Sequence, residues 1–166
     1  KEGISKMRNM QTQHRFSLHQ AILQTQNRLR LLLPLADLLM RLYIGKLFFW
    51  SGLTKLRDWE MTVSLFTDEY HVPLLSPEVA AYAATGAELV LPVLLVLGLF
   101  KQLAALGLLA VNIIAVVAYY SMLQDIPAAL QDHIEWGLML MLIACSPANL
   151  FQVDHYWGRR KTKHLL

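Results

Sequence analysis

The chain has 166 residues, of which 55% are hydrophobic and only 16% charged, with a formal net charge of +3. A soluble domain of this size carries about 25% charged residues, so the composition excludes an ordinary water-soluble fold and points into the bilayer. The single cysteine, Cys145, excludes an internal disulfide or a dithiol redox pair and reads as a small buried hydrophobe.

Residues 1–30 are polar, glutamine-rich and carry six Lys/Arg. They lack an apolar stretch long enough for a cleavable signal peptide. Phe16–Leu29 could lie on the membrane surface as a weak helix, but a flexible cytoplasmic tail is the preferred reading. The domain proper is expected at 31–151, with a second basic cytoplasmic tail at 152–166.

Four spans are expected at about 31–50, 79–100, 103–122 and 134–151, because about 20 apolar residues at 1.5 Å rise cross the hydrocarbon core. Pro34 suits the start of the first. Between the first two, Trp59, Val63, Phe66 and Tyr70 recur at helical spacing, which predicts an amphipathic outer helix over about 58–70. Pro77 and Glu78 suit the first turn of the second span. Gly98 and Lys101-Gln102 suit a tight turn to the third, Pro127 breaks the chain before the fourth, and Pro147 bends or ends it. The fold class is therefore all-α: a polytopic membrane four-helix bundle in one domain.

Both tails and Lys101 are basic, whereas the connections at 51–78 and 123–133 hold seven acids and only Lys55 and Arg57. The positive-inside rule then puts both termini in the cytoplasm and those loops outside, as expected in a bacterial inner membrane. Topology and anionic lipid account for the basic tails, so no nucleic-acid partner is expected. The expected partners are the lipid bilayer, an oxidoreductase subunit and, through a face of small residues, a second copy of the chain.

Charge inside a bilayer costs several kcal/mol unless it is paired or lines a polar cavity, so membrane-embedded ionisable residues mark the site. Arg41 and Glu88 each lie about ten residues from the outer ends of their spans, Asn112 lies at the same depth in the third, and Asp37 is one turn from Arg41. Asp37, Arg41, Gly45, Phe48 and Gly52 share one face; Ala81, Ala84, Thr85, Glu88, Pro92 and Leu95 share another. These depths and faces predict a buried network of Asp37, Arg41, Glu88 and Asn112, with Arg41 bridging both carboxylates. Nearer the outer surface, Lys46, Lys55, Tyr119, Tyr120, His133 and Glu135 are expected to line the mouth of an outward polar pocket, Glu135 pairing with Lys46. Glu88, His133 and Glu135 are the candidate acid–base residues.

Haem has too few histidines in the spans, and no zinc set is expected because Asp132, His133 and Glu135 crowd one helix start. Neither a glycine-rich phosphate loop nor a Gly-x-Ser-x-Gly elbow occurs. No metal or covalently held cofactor is evident; a quinone is the redox species such a bundle can hold.

Over about 36–151 the chain resembles the DoxX family of small four-helix membrane proteins. The resemblance rests on Leu39-Met40-Arg41-Leu42 followed by Phe48-Phe49-Trp50-Ser51-Gly52-Leu53-Thr54-Lys55 in span one. It continues with Ala87-Glu88-Leu89 and Leu97-Gly98-Leu99-Phe100 in span two, Leu103–Leu106 opening span three, and His133 before span four. It implies a membrane subunit or accessory of a quinone-linked oxidoreductase, since the family is named after a subunit of a thiosulfate:quinone oxidoreductase. Similar bundles also act as assembly helpers and cargo receptors, which keeps a non-catalytic interaction role as the alternative. A small solute or proton-coupled transporter ranks third, because Asp37 is the only membrane acid near the cytoplasmic side.

Overall fold

A computed structural model describes residues 20, 23–70 and 72–154. The described chain is helical throughout, with no strand among the described residues. It divides into two units, 1–36 and 37–166. In the first, residues 23–30 are helical (α1), so the expected tail has regular structure there; the rest of the stretch 1–22, residue 20 apart, and the tail beyond 154 lie outside the described residues. Backbone bonds from Leu31 and Leu32 to the carbonyls of Arg28 and Leu29 close α1 in a turn, and Ala36 bonds back to Leu32 as the next helix begins.

The elements are α2 (Leu33–Arg57), α3 (Trp59–Asp68), α4 (Pro77–Leu97), α5 (Lys101–Ala118), the single turn α6 (Tyr120–Leu123) and α7 (Pro127–Cys145). Four limits differ from the sequence reading by four residues or more. Nothing in Ser51–Arg57 breaks a helix, so α2 runs seven residues past Trp50 and stops only where the Asp58 carboxylate caps α3 by accepting the Met61 N–H. Tyr119 leaves helical geometry at φ −116°, so α5 ends before the expected 122. Pro127 starts α7 rather than only separating it from α5, because a missing N–H costs nothing at the first helical position. The same helix ends at Cys145, since Pro147 holds Ser146 extended.

The long helices of the second unit share one core. Ile44 and Phe48 from α2, Leu95 from α4, Ala104, Ala105 and Leu108 from α5, and Leu140 and Ile143 from α7 form a single buried cluster. At the α3 end, a second cluster joins Phe66 of α3 to Ala80 and Ala81 of α4. The opposite faces of these helices are apolar as well: Leu42, Val90, Val93, Leu106, Ile113, Val117, Leu138 and Met141 are all exposed. Side chains of that kind around a whole helix mean that hydrocarbon rather than water surrounds it. Both α4 and α5 are long and apolar enough to cross a membrane.

Glycine matters where helices touch. A Cβ on Gly52 would stand 2.9 Å from Leu89 Cγ and 3.1 Å from Glu88 Cβ, so α2 passes α4 at a distance only glycine permits. Gly98 closes α4 in the left-handed conformation (φ 67°), where its N–H and that of Leu99 take up carbonyls of Leu94 and Leu95. A Cβ there would stand 2.7 Å from the Gln152 backbone.

Gly98→Ala is therefore expected to destabilise the fold by at least the left-handed backbone cost of about 1–2 kcal/mol. Reversible unfolding in mixed micelles measures it, and an unchanged midpoint would contradict the packing of residue 152 against this turn.

Candidate functional site

Two polar centres occupy opposite ends of α4. The first lies at the α4–α5 turn and is closed. Arg41, 0% exposed, donates from Nε to Asp37 Oδ2 (3.0 Å), from Nη1 to the carbonyls of Leu95 (3.2 Å) and Val96 (2.8 Å), and from Nη2 to the Phe151 carbonyl (3.0 Å). Leu95 and Val96 belong to the last turn of α4, whose carbonyls lack the next helical turn, so the guanidinium adds a side-chain cap to the Gly98 turn. Asp37 also accepts from Ser146 Oγ (2.8 Å), Asn149 Nδ2 (2.9 Å) and Gln152 Nε2 (3.0 Å). The buried Lys101 ammonium lies 3.6 Å from Asp37 and donates to the carbonyl and hydroxyl of Ser146. Asp154 then caps α5 by accepting the backbone N–H groups of Phe100 and Lys101.

The second centre is a cavity of about 530 Å³ at the α3 end of α4. Its walls are largely apolar (Leu47, Phe48, Ala84, Val111, Ala115, Trp136), and its polar side chains are Ser51, Lys55, Tyr70, Glu88, Asn112, Tyr119 and His133. Glu88, 7% exposed, accepts from Lys55 Nζ at 2.7 Å, and the same ammonium donates to Ser51 Oγ at 2.9 Å. Asn112 of α5 meets His133 of α7 twice: its Nδ2 donates to the His133 carbonyl (2.9 Å), and its Oδ1 stands 2.8 Å from His133 Nδ1. A carbonyl only accepts, so the amide nitrogen must face it and the amide oxygen must face the ring. His133 Nδ1 therefore carries a proton, and the neutral ring leaves Nε2 as an acceptor. Over the cavity, Tyr70 packs edge-on against Phe66 (4.9 Å) and against Tyr119 (4.7 Å), tying the end of α3 to the end of α5. Burial, reinforced by the charges of Glu69 and Glu88, raises the Tyr70 phenol above its ordinary value, so it remains a donor at neutral pH.

The expected network thus falls into pieces. Asp37 and Arg41 are partners, but Glu88 pairs with Lys55 instead of Arg41, and Asn112 bonds His133. Arg41 stands level with Leu95 and Val96, two turns along α4 from Glu88. The physical reason is the length of α2: with its end at Arg57 rather than Trp50, Arg41 lies deeper than depth-matching from Trp50 implied. Of the expected mouth residues, Lys55, Tyr119 and His133 line the cavity. Lys46 and Tyr120 are exposed and do not line it, and Glu135, exposed on α7, takes a hydrogen bond from Gln131 rather than pairing with Lys46. The pocket read as polar is mainly apolar. Sequence reasoning missed Lys101, Ser146, Asn149 and Gln152 as partners of Asp37. The only signal of the last three was a cluster of polar residues on both sides of Pro147.

No group of His, Cys, Asp and Glu among the described residues could hold a metal ion. A family model described as DoxX matches residues 36–121, just over half of the chain. No curated protein matches, and neither does any solved structure.

Arg41→Ala removes the guanidinium from the Val96 and Phe151 carbonyls and one of several partners from Asp37 and from the Leu95 carbonyl, leaving the Asp37 charge buried without its nearer cation, and is expected to cost about 3–5 kcal/mol. In double-mutant cycles, Lys55 with Glu88 should couple by about 0.5–3 kcal/mol, while Arg41 with Glu88 should be additive within about 0.5 kcal/mol. Strong Arg41–Glu88 coupling would contradict the separation of the two centres.

Proposed function

The chain belongs to the DoxX family of membrane proteins, and from that premise we propose that it serves a quinone-linked oxidoreductase as a membrane subunit or accessory, the 530 Å³ cavity being its quinone site. The observation that carries this reading is the combination of a largely apolar cavity with a small set of donors and acceptors on its walls. Small-molecule sites of about 300–1,000 Å³ are built that way, apolar for affinity and sparingly polar for orientation. A flat, apolar head with two carbonyl oxygens suits those walls: Lys55, Tyr70 and Tyr119 are donors for the oxygens, and the ring of Trp136 is a surface to stack on.

When bound, a quinone supplies two-electron, two-proton redox chemistry, with electrons delivered by the partner oxidoreductase. The chain's own residues handle the head and its protons. Lys55 donates to Glu88 and stays in reach of an incoming carbonyl oxygen. His133, held with Nδ1–H toward Asn112, turns an acceptor nitrogen to exchange a proton. Phe66 and Tyr70 add aromatic surface to the same walls.

In this reading α2, α4, α5 and α7 cross a bacterial inner membrane as a four-helix bundle with both termini in the cytoplasm, and the cavity faces outward. What supports the orientation is the charge pattern: the acidic segments holding α3 and α6 lie at the cavity end, and the basic Lys101 lies at the closed end.

The test is extraction of bound quinone from the protein in native-lipid particles, comparing the wild type with His133→Ala and Glu88→Gln. About one quinone per chain in the wild type, lost in both variants while the fold persists, is the expected result. A folded wild type with no quinone above the lipid background would overturn the reading in favour of a non-catalytic assembly role.

A further inference from the structure

The cavity is walled unevenly. Toward the closed end, α4 and α5 are in tight contact: Leu95 packs on Ala104, Ala105 and Leu108, and a Cβ on Gly107 would stand 2.8 Å from Leu91. Toward the other end, α4 changes partner. Ala80, Ala81 and Ala84 pack on Phe66, Val63 and Tyr70 of the α3 segment, and no α5 residue joins that cluster among the described residues. The cavity lies along this stretch of the two helices, lined by Ala83, Ala84 and Ala87 of α4 and by Ile114, Ala115 and Ala118 of α5. Three residues that line the cavity are also exposed on the outside of the protein: Ala83 on α4, Leu75 at 47% and Ile114 on α5 at 46%. They mark an opening in the side wall of the cavity rather than at its end. Around it the surface is apolar, with Val79, Ile113 and Val117 exposed.

We propose that this gap between α4 and α5 is a lateral window, and that a single apolar chain lies in it, its polar head at Lys55 and Glu88 and its tail in the bilayer. The proposal deepens the quinone reading and rests on it for the identity of the head, because it makes the ligand a tailed, lipid-borne molecule that arrives sideways from the membrane. Alanine is the reason the window exists. Ala83, Ala84 and Ala87 present methyl groups where larger side chains would close the gap against Ile114 and Ala115. In the absence of a tailed ligand, an acyl chain of the surrounding lipid fills the same groove, since an apolar void beside hydrocarbon gains dispersion contacts when filled.

Trp136 lines the cavity and reports on that chain. A protein carrying Trp50→Phe, Trp59→Phe and Trp157→Phe retains it as the sole tryptophan and is reconstituted in phosphatidylcholine brominated on its acyl chains. Bromine quenches indole only at close range, so quenching of Trp136 is expected, together with loss of most of it when either rim position is filled by Ala83→Phe or Ile114→Phe. Both rim residues are exposed, so these substitutions leave the buried clusters intact, and circular dichroism checks the fold of each. Quenching that is absent, or unchanged in both rim variants, would overturn the window. Quinone content is read separately on the same preparations: rim-dependent quenching without bound quinone would retain the lateral groove and overturn only the identity of the head.

Discussion

Burial of the Arg41 guanidinium governs the rest of the structure. A full positive charge with no exposure to solvent costs several kcal/mol unless it is paired and hydrogen-bonded, and here four of its five N–H groups are engaged by parts of the chain far apart in sequence. One carboxylate on its own helix, two carbonyls at the end of α4 and one carbonyl beyond Pro147 converge on a single planar group. Asp37, Arg41 and Lys101 leave one net positive charge, which Asp154 at the start of α5 and the C-terminal dipole of α4, about half an elementary charge of negative sign, both oppose. The geometry that satisfies Arg41 also fixes where α4 stops, and so where the Gly98 turn places α5.

That closed end gives the cavity its shape. With α4 and α5 pinned together from Leu91 to Gly98, the cavity forms toward the other end, where α3 packs on α4. The two polar centres then divide the work. Around Asp37, every polar contact is internal to the protein; around Glu88, one internal partner, Lys55, leaves the remaining surface of the cavity free for a guest.

Much of this was legible in the sequence. The apolar runs announced the helices, the Trp59–Tyr70 spacing announced α3, and Asp37, Arg41, Glu88 and Asn112 stood out as polar residues in apolar surroundings, all four of which are buried. Their partners were not legible, because partners depend on register. A helix end misplaced by seven residues shifts the pairing by two turns, which is enough to hand Glu88 from Arg41 to Lys55. The role of Ser146, Asn149 and Gln152 was hidden for a different reason. They lie in irregular backbone after α7, and periodicity carries no information once the helix has ended.

The strap from Ser146 to Asp154 has a consequence for the order of events during synthesis. Asp37 and Arg41 are made early and, one turn apart, can neutralise each other as soon as α2 forms. The Leu95 and Val96 carbonyls and Lys101 follow mid-chain, and the rest come last: the Ser146, Asn149 and Gln152 side chains and the Phe151 carbonyl, with Asp154 capping α5, are reached only after all four long helices exist. Until then the nascent chain holds a polar centre without its closing segment. Completion of the fold is thereby coupled to completion of residues 146–154, and a chain interrupted before them displays an unsatisfied charge that membrane quality control can detect.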